Sequence, residues 1–76
     1  MQIVYEPQSD TLDIDFRMEI GPVHETVDGP NEDILLDFDE KGRLIGMTIS
    51  HASKRIDLDN LQRQPQFEEI ESKVRS

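Results

Sequence analysis

The chain has 76 residues with neither cysteine nor tryptophan, and 34% of its residues are hydrophobic. These values allow one small domain with a thin core, and they exclude disulfides and thiolate metal sites. Seventeen acidic residues against eight basic ones give a net charge of −9, and the basic residues are scattered along the sequence. This balance disfavours binding to a phosphate backbone, which proteins hold with Lys and Arg.

The N-terminal segment predicts a β-hairpin. Residues 2–5 form a short run of strand-forming residues, and residues 11–16 alternate between apolar and polar side chains. The turn between them contains Pro7, which fixes φ, and Asp10, whose side chain is expected to bond to the local backbone. A weaker strand is predicted at residues 23–27, where the alternation is impure.

The strongest hairpin signal lies in the middle of the chain. Residues 33–38 and 44–50 are rich in strand-forming residues, and the polar loop between them has Gly42 near its end. This pattern predicts a type I turn closed by a glycine at positive φ. The loop also resembles the start of a calcium-binding loop. However, Lys41 stands where that loop needs an oxygen ligand and Thr48 where it needs a bidentate glutamate, so a plain turn is favoured.

The tail changes character after Ile56. Asp57 is predicted to cap one or two helical turns that end before Pro65. Beyond Pro65, Phe67, Ile70 and Val74 fall at helical spacing, with acidic residues early and basic residues late, which predicts a further short helix. A helix of this length is not stable alone, so we expect it to dock on another surface.

Together these patterns predict a mainly β (α+β) protein. We expect a single antiparallel meander sheet of four to five strands, arranged in chain order, with a short C-terminal helix. Residues 1–56 would form the sheet domain and residues 57–76 the helical tail. The predicted core consists of Ile3, Tyr5, Leu12, Ile14, Phe16, Leu36, Phe38, Ile45, Met47 and Ile49.

Candidate chemical groups are few. Asp13 and Asp15 share a strand face, and with Asp37 and Asp39 they are the carboxylates on which a small enzyme or a metal-binding protein would depend. Nothing in the sequence buries them, and the solvated face of an antiparallel sheet shows the same pattern. The two histidines lack a ligand spacing. We therefore expect no catalytic residue, no metal ligand and no cofactor.

Three stretches, residues 4–16, 34–49 and 52–55, resemble the small prokaryotic family catalogued as domain of unknown function 2283. They contain an aromatic–acid–Pro turn, an alternating strand, an acidic Gly hairpin with Ile-Gly-Met, and a closing Ala-Ser-Lys-Arg. The likeness covers about residues 1–56, and it departs from the family pattern at Asp13, where an aromatic residue is common. The resemblance implies no catalytic or cofactor-binding residue. It implies an antitoxin-like role, because some members are encoded beside a small toxin.

The sequence thus favours a non-enzymatic protein-interaction module. A thin core favours oligomerisation or a partner, so we expect a homo-oligomer, most simply a dimer, or a complex with a basic protein such as a toxin. A weaker alternative is nucleic-acid binding through Lys54 and Arg55. No hydrophobic run is long enough to span a membrane, so we expect a cytoplasmic protein without membrane contact. The predicted interface residues are Leu35, Leu44, Phe67, Ile70 and Val74.

Overall fold

The computed structural model of the protein describes residues 1–17 and 22–70. Within these ranges the chain forms six strands and two short helices. None of the helices is long and apolar enough to cross a membrane. The elements are β1 (Gln2–Glu6), β2 (Thr11–Asp15), β3 (Glu25–Asp28), β4 (Ile34–Phe38), β5 (Leu44–Ser50), α1 (Ala52–Arg55), α2 (Leu58–Leu61) and β6 (Phe67–Glu69).

The strands form one mixed sheet in the order β3-β4-β5-β2-β1-β6. All neighbours are antiparallel except β1 and β6, which are parallel. The prediction of a mainly β protein is confirmed, but the purely antiparallel meander of four to five strands in chain order is wrong. β2 pairs with β5 because Leu12 and Ile14 then lie opposite Ile49 and Met47, so two regular apolar runs are buried together. The more polar β3 is left at the sheet edge.

The turn between β4 and β5 is the one that the sequence predicts. Gly42 has φ +79°, and its amide donates to the Asp39 carbonyl over 3.0 Å. The Asp39 carboxylate accepts from the amides of Lys41 and Arg43, each at 2.9 Å. This carboxylate therefore shapes the turn. The register between β4 and β5 shifts beside Phe38, which leaves Ile45 as the extra residue of a β-bulge.

The helices cover one face of the sheet. Ala52 of α1 is buried in a cluster with Ile3, Leu12 and Ile49, and Leu61 of α2 packs against that cluster. Of the predicted core, four residues are buried and Tyr5, Ile14 and Met47 pack around the cluster, whereas Leu36 and Phe38 are half-buried. The four buried ones are Ile3, Leu12, Ile45 and Ile49.

Phe16 is a wrong core prediction, because 42% of its surface is exposed. Strand β2 ends at Asp15, so Phe16 lies at the end of the sheet, past the part that α1 and α2 cover. Ala52 is buried but absent from the predicted core, since a single alanine gives no periodic signal.

The tail confirms one prediction and corrects another. The Asp57 side chain caps α2 by accepting from the Asn60 amide. Phe67, by contrast, begins the strand β6 where a helix was predicted. Pairing with the free edge of β1 supplies backbone hydrogen bonds and lets the Phe67 ring stack on Tyr5 at 6.3 Å, whereas an isolated helical turn gains neither. Val74 lies outside the described residues.

Candidate functional site

The sheet face opposite the helices carries two rows of side chains that run across the strands. We call it the open face and define it by these two rows, which the strand registers align. One row is Val4, Asp13, Thr48 and Leu35, and the other is Gln2, Asp15, Gly46, Asp37 and Thr26. Arg17 and Val23, from outside the strands, border this face at one end of it.

Two carboxylates of the open face have hydroxyl partners only. Asp13 accepts a hydrogen bond of 2.9 Å from Thr48 Oγ1, and Asp37 accepts one of 2.7 Å from Thr26 Oγ1. Neither has a cationic partner within the described ranges. A neutral hydroxyl fixes the position of a carboxylate but leaves its charge uncompensated. The open face is therefore an acidic surface with oriented carboxylates.

Asp15 is the exception on this face. Its carboxylate accepts from the Arg17 amide at 2.9 Å and from Arg17 Nε at 3.3 Å. The backbone bond, followed by the side-chain bond, lowers the pKa of Asp15 below its ordinary value. The pair shows that a guanidinium fits against the end of the open face.

Gly46 separates Asp15 from Asp37 and leaves a cleft of about 310 Å³ between them. A Cβ at this position would lie 3.0 Å from the Ile14 carbonyl oxygen and 3.4 Å from Asp37 Oδ2. A larger residue would therefore press on the backbone of β2 and fill the floor of the cleft. The glycine keeps both carboxylates accessible from above.

The four carboxylates of the metal or enzyme alternative do not act as one group. Asp13, Asp15 and Asp37 lie on the open face, while Asp39 is engaged by Arg43 Nε at 2.8 Å in the turn. Among residues 1–17 and 22–70, no three acidic or histidine side chains are arranged to hold a metal ion.

The predicted interface residues lie in separate parts of the sheet. Leu35 is on the open face with 36% of its surface exposed, and Leu44 begins β5. Phe67 and Ile70 lie at the β6 edge, four strand positions or about 19 Å from β4. Phe67 packs on the helix side, against the core cluster. The structure therefore does not join these residues into one patch.

The contacts of Asp10, which form a cluster around it, extend beyond the local backbone bonds that the sequence predicts for it. Asp10 Oδ1 accepts from the Tyr5 hydroxyl at 2.7 Å and from the Ser53 amide at 3.0 Å, and its Oδ2 accepts from Ser53 Oγ at 2.7 Å. The Asp10 carbonyl also accepts from the Ala52 amide. These contacts link the β1–β2 turn to α1. Asp10 and Ser53 are 43 residues apart in the sequence, and no pattern of residue spacing predicts a contact at that separation.

This cluster shifts the ionisation of both acidic partners. The Tyr5 hydrogen bond, followed by the Ser53 hydroxyl, lowers the pKa of Asp10. The same Tyr5–Asp10 bond, with burial and the nearby negative charge, raises the pKa of Tyr5 from 10.0 to about 12. Both shifts favour the neutral phenol beside an ionised carboxylate.

A second cluster lies at the start of α1. Asp33 contacts His51 Nδ1 at 3.1 Å and Arg55 Nη2 at 2.9 Å, and the His51 bond, followed by that of Arg55, lowers the pKa of Asp33. His51 adopts the left-handed region at φ 53°. Asp33 compensates the charge of Arg55, so the basic edge considered for nucleic acid retains little more than Lys54.

The contact between Ser53 and Asp10 lies at the end of the segment that matches a known protein family. The family model described as Protein of unknown function (DUF2283) matches residues 2–53. The chain belongs to this family. The DUF2283 match ends at Ser53, the residue whose amide and hydroxyl bind Asp10. The matched segment therefore includes both residues of the contact that links the β1–β2 turn to α1. No curated protein and no solved structure matches the chain.

Proposed function

We propose that this DUF2283 protein is a non-enzymatic interaction module whose open face binds a basic segment of another protein. The observation that carries the proposal is the pair of uncompensated carboxylates, Asp13 and Asp37, held in fixed positions by Thr48 and Thr26. Fixed negative charges favour the binding and orientation of a partner of opposite sign.

Apolar side chains of the same face support a protein as the partner. Val4 and Leu35 lie in the row that contains Asp13, so a bound segment gains apolar contact as well as charge contact. The registers continue this row to Glu68 beside Val4 and to Asp28 beside Leu35, which add negative charge at its two ends. A second copy of this chain is a poor occupant here, because it would bring like charges together on the two faces. The antitoxin-like role that the family resemblance implies, with a basic toxin as the partner, is one form of this proposal.

The test uses a defined probe, a synthetic peptide in which arginine and valine alternate. Titrated into the isotopically labelled protein, it should shift the amide resonances of Asp13, Gly46 and Thr48 before those of α1 and α2. Raising the salt concentration should weaken the binding, because exposed charges are screened beyond about 10 Å at 0.1 M salt.

Two double variants of equal net charge test whether binding depends on the open face or only on the negative charge of the whole protein. Combining Asp13→Asn with Asp37→Asn keeps both hydroxyl bonds, and it should raise the dissociation constant about tenfold, as expected when two charge pairs of roughly 0.7 kcal/mol each are lost. Combining Glu32→Gln with Asp59→Asn changes the net charge equally at exposed positions outside the open face. Equal weakening in the two double variants would overturn the proposal.

A further inference from the structure

The end of the sheet that holds the β4–β5 turn carries a row of apolar residues. The β1–β2 register pairs Gln2 with Asp15, so Met1 lies beside Phe16. Phe16 donates its amide to the Ile45 carbonyl, next to Leu44, and Leu44 lies opposite Phe38. We call this set the apolar end row and define it as Met1, Phe16, Leu44 and Phe38. It crosses four adjacent strands, a span of about 14 Å.

The apolar end row is poorly covered by the described residues. The exposed fractions are 51% for Met1 and 42% for both Phe16 and Leu44. Burying a side chain of this size fully contributes about 1.5–3 kcal/mol, and contiguous apolar surface on a small protein marks an interaction site. The buried core adds little stabilisation to offset this exposure, since its cluster contains only Ile3, Leu12, Ile49 and Ala52 among the described residues.

The charges beside this row differ from those of the rest of the molecule. The whole chain has 17 acidic against 8 basic residues. Around the apolar end row the excess of negative charge is smaller, with three cationic side chains and five carboxylates. They are Arg17, Lys41 and Arg43, and Asp15, Glu25, Asp37, Asp39 and Glu40. A second copy therefore meets less repulsion at this end than on the open face, where Asp13 and Asp37 have no cationic partner among the described residues.

Two of these charges are available for a partner. Glu40 and Lys41 lie at the tip of the turn, both are exposed, and neither side chain has an ion pair or hydrogen bond among the described residues. In a two-fold dimer, a contact of Glu40 with the second copy's Lys41 is repeated by the reciprocal contact of Lys41 with the second copy's Glu40. Glu40 of one copy and Lys41 of the other thus supply two equivalent pairs of opposite charge.

A groove beside the row provides space for side chains of a second copy. It measures about 420 Å³ and lies between Val23 with its neighbours and the turn residues Asp39 to Arg43. Pro22 and Val23 form its apolar part, and the other residues that line it are charged or polar. The same end of the molecule therefore presents exposed apolar side chains beside a groove lined mainly by charged residues, so a second copy can make both apolar and charge contacts there.

We propose that this end of the sheet is the interface of a homodimer, with a second copy of the chain covering the apolar end row. The interface adjoins one end of the open face, where Arg17 and Val23 border both surfaces, and it does not depend on the function proposed above. A dimer of this kind leaves both open faces accessible, so it presents two acidic surfaces to a basic partner.

The first experiment measures the mass of the full chain by sedimentation equilibrium over a range of protein concentrations. We expect a species of twice the chain mass of 8.8 kDa. Combining Phe16→Ser with Leu44→Ser should raise the dimer dissociation constant at least tenfold and leave the circular dichroism spectrum of the folded monomer unchanged, because neither residue belongs to the buried core cluster. The matched control is Leu35→Ser, which removes a comparably exposed leucine from the open face and should leave the dimer intact.

A charge exchange tests the interface without removing apolar contacts. Glu40→Lys should weaken the dimer because it places two lysines opposite each other, and adding Lys41→Glu to it should restore the dimer. A monomeric chain at every concentration would overturn the proposal. So would dissociation by Leu35→Ser but not by the Phe16 and Leu44 changes, or a charge exchange that fails to restore what Glu40→Lys weakens.

Discussion

The Tyr5 hydroxyl donates a 2.7 Å hydrogen bond to the Asp10 carboxylate, across the turn between the first two strands. Asp10 sits at φ 55°, a region that non-glycine residues enter only at a cost. That backbone position lets its carboxylate accept from Tyr5 and from Ser53 of α1 together. One side chain thus holds the hairpin and the helix that covers the core.

Removing the Tyr5 hydroxyl should destabilise the fold. Tyr5→Phe keeps the ring that stacks on Phe67, and it loses one bond to a charged acceptor, worth about 1.5–3 kcal/mol. Urea unfolding followed by circular dichroism measures the loss. Ser9→Ala removes an exposed hydroxyl bond to Glu6 and should cost less than about 0.5 kcal/mol. Equal losses in the two variants would contradict the role of the Tyr5–Asp10 bond.

Tyr5 is the chain's only tyrosine, so its ionisation can be followed by absorbance without interference. We expect a pKa near 12, raised from the ordinary 10.0 by the Asp10 contact. Because the folded-state pKa is the higher one, the stabilisation is complete below pH 10 and is lost as the pH rises toward 12. Asp10→Asn should move the Tyr5 pKa back toward 10. An unchanged titration in that variant would contradict the assigned cause.

Acid should destabilise the fold partly through Asp33. Contacts with His51 and Arg55 lower its pKa below the ordinary value of 3.8. Its stabilisation is therefore present above that value and is lost as the pH falls through the lowered folded-state pKa. Urea unfolding at successive pH values should show a smaller acid loss for Asp33→Asn than for the native chain.

Asp59→Asn provides the control for this measurement. It removes an exposed carboxylate that contacts no cation within the described ranges. This variant should retain the acid loss of the native chain. The Asp33 assignment is wrong if the two variants respond to acid alike.

The sixth strand should contribute to stability through Phe67. Phe67→Ala removes a half-buried ring from the core margin, and we expect a loss of about 2 kcal/mol, below the 3–5 kcal/mol of a fully buried phenylalanine. Ile70→Ala, at a side chain that is 48% exposed, should change the free energy of unfolding by less than about 0.5 kcal/mol. Similar losses at the two positions would argue against the pairing of β6 with β1.

The sequence by itself determined several strands, one turn and one helix cap of this protein. Alternation predicts β2, β4 and β5 because a strand places every second side chain on one face. Gly42 and Asp57 identify the turn and the helix cap, since each of these positions requires a particular backbone conformation or side-chain acceptor. The family resemblance, confirmed over residues 2–53, depends on the same local motifs.

Only the tertiary structure decided which strands are neighbours. Two strands of equal pattern can pair with several partners, and the choice depends on burial summed over the whole sheet. Phe67 shows this most clearly. Its spacing from Ile70 and Val74 predicts a helix, but it forms a strand because it pairs with the free edge of β1 and stacks on the ring of Tyr5.

For the candidate surfaces too, the sequence determined some features and the tertiary structure decided the others. The sequence alone identified the acidic residues and the exposed leucines, because charge and hydropathy belong to single residues. It did not predict that Gly46 lies between Asp15 and Asp37, that Asp33 compensates Arg55, or that Phe16 joins Leu44 at one end of the sheet. Those relations join residues distant in sequence, and only the packed chain brings them together.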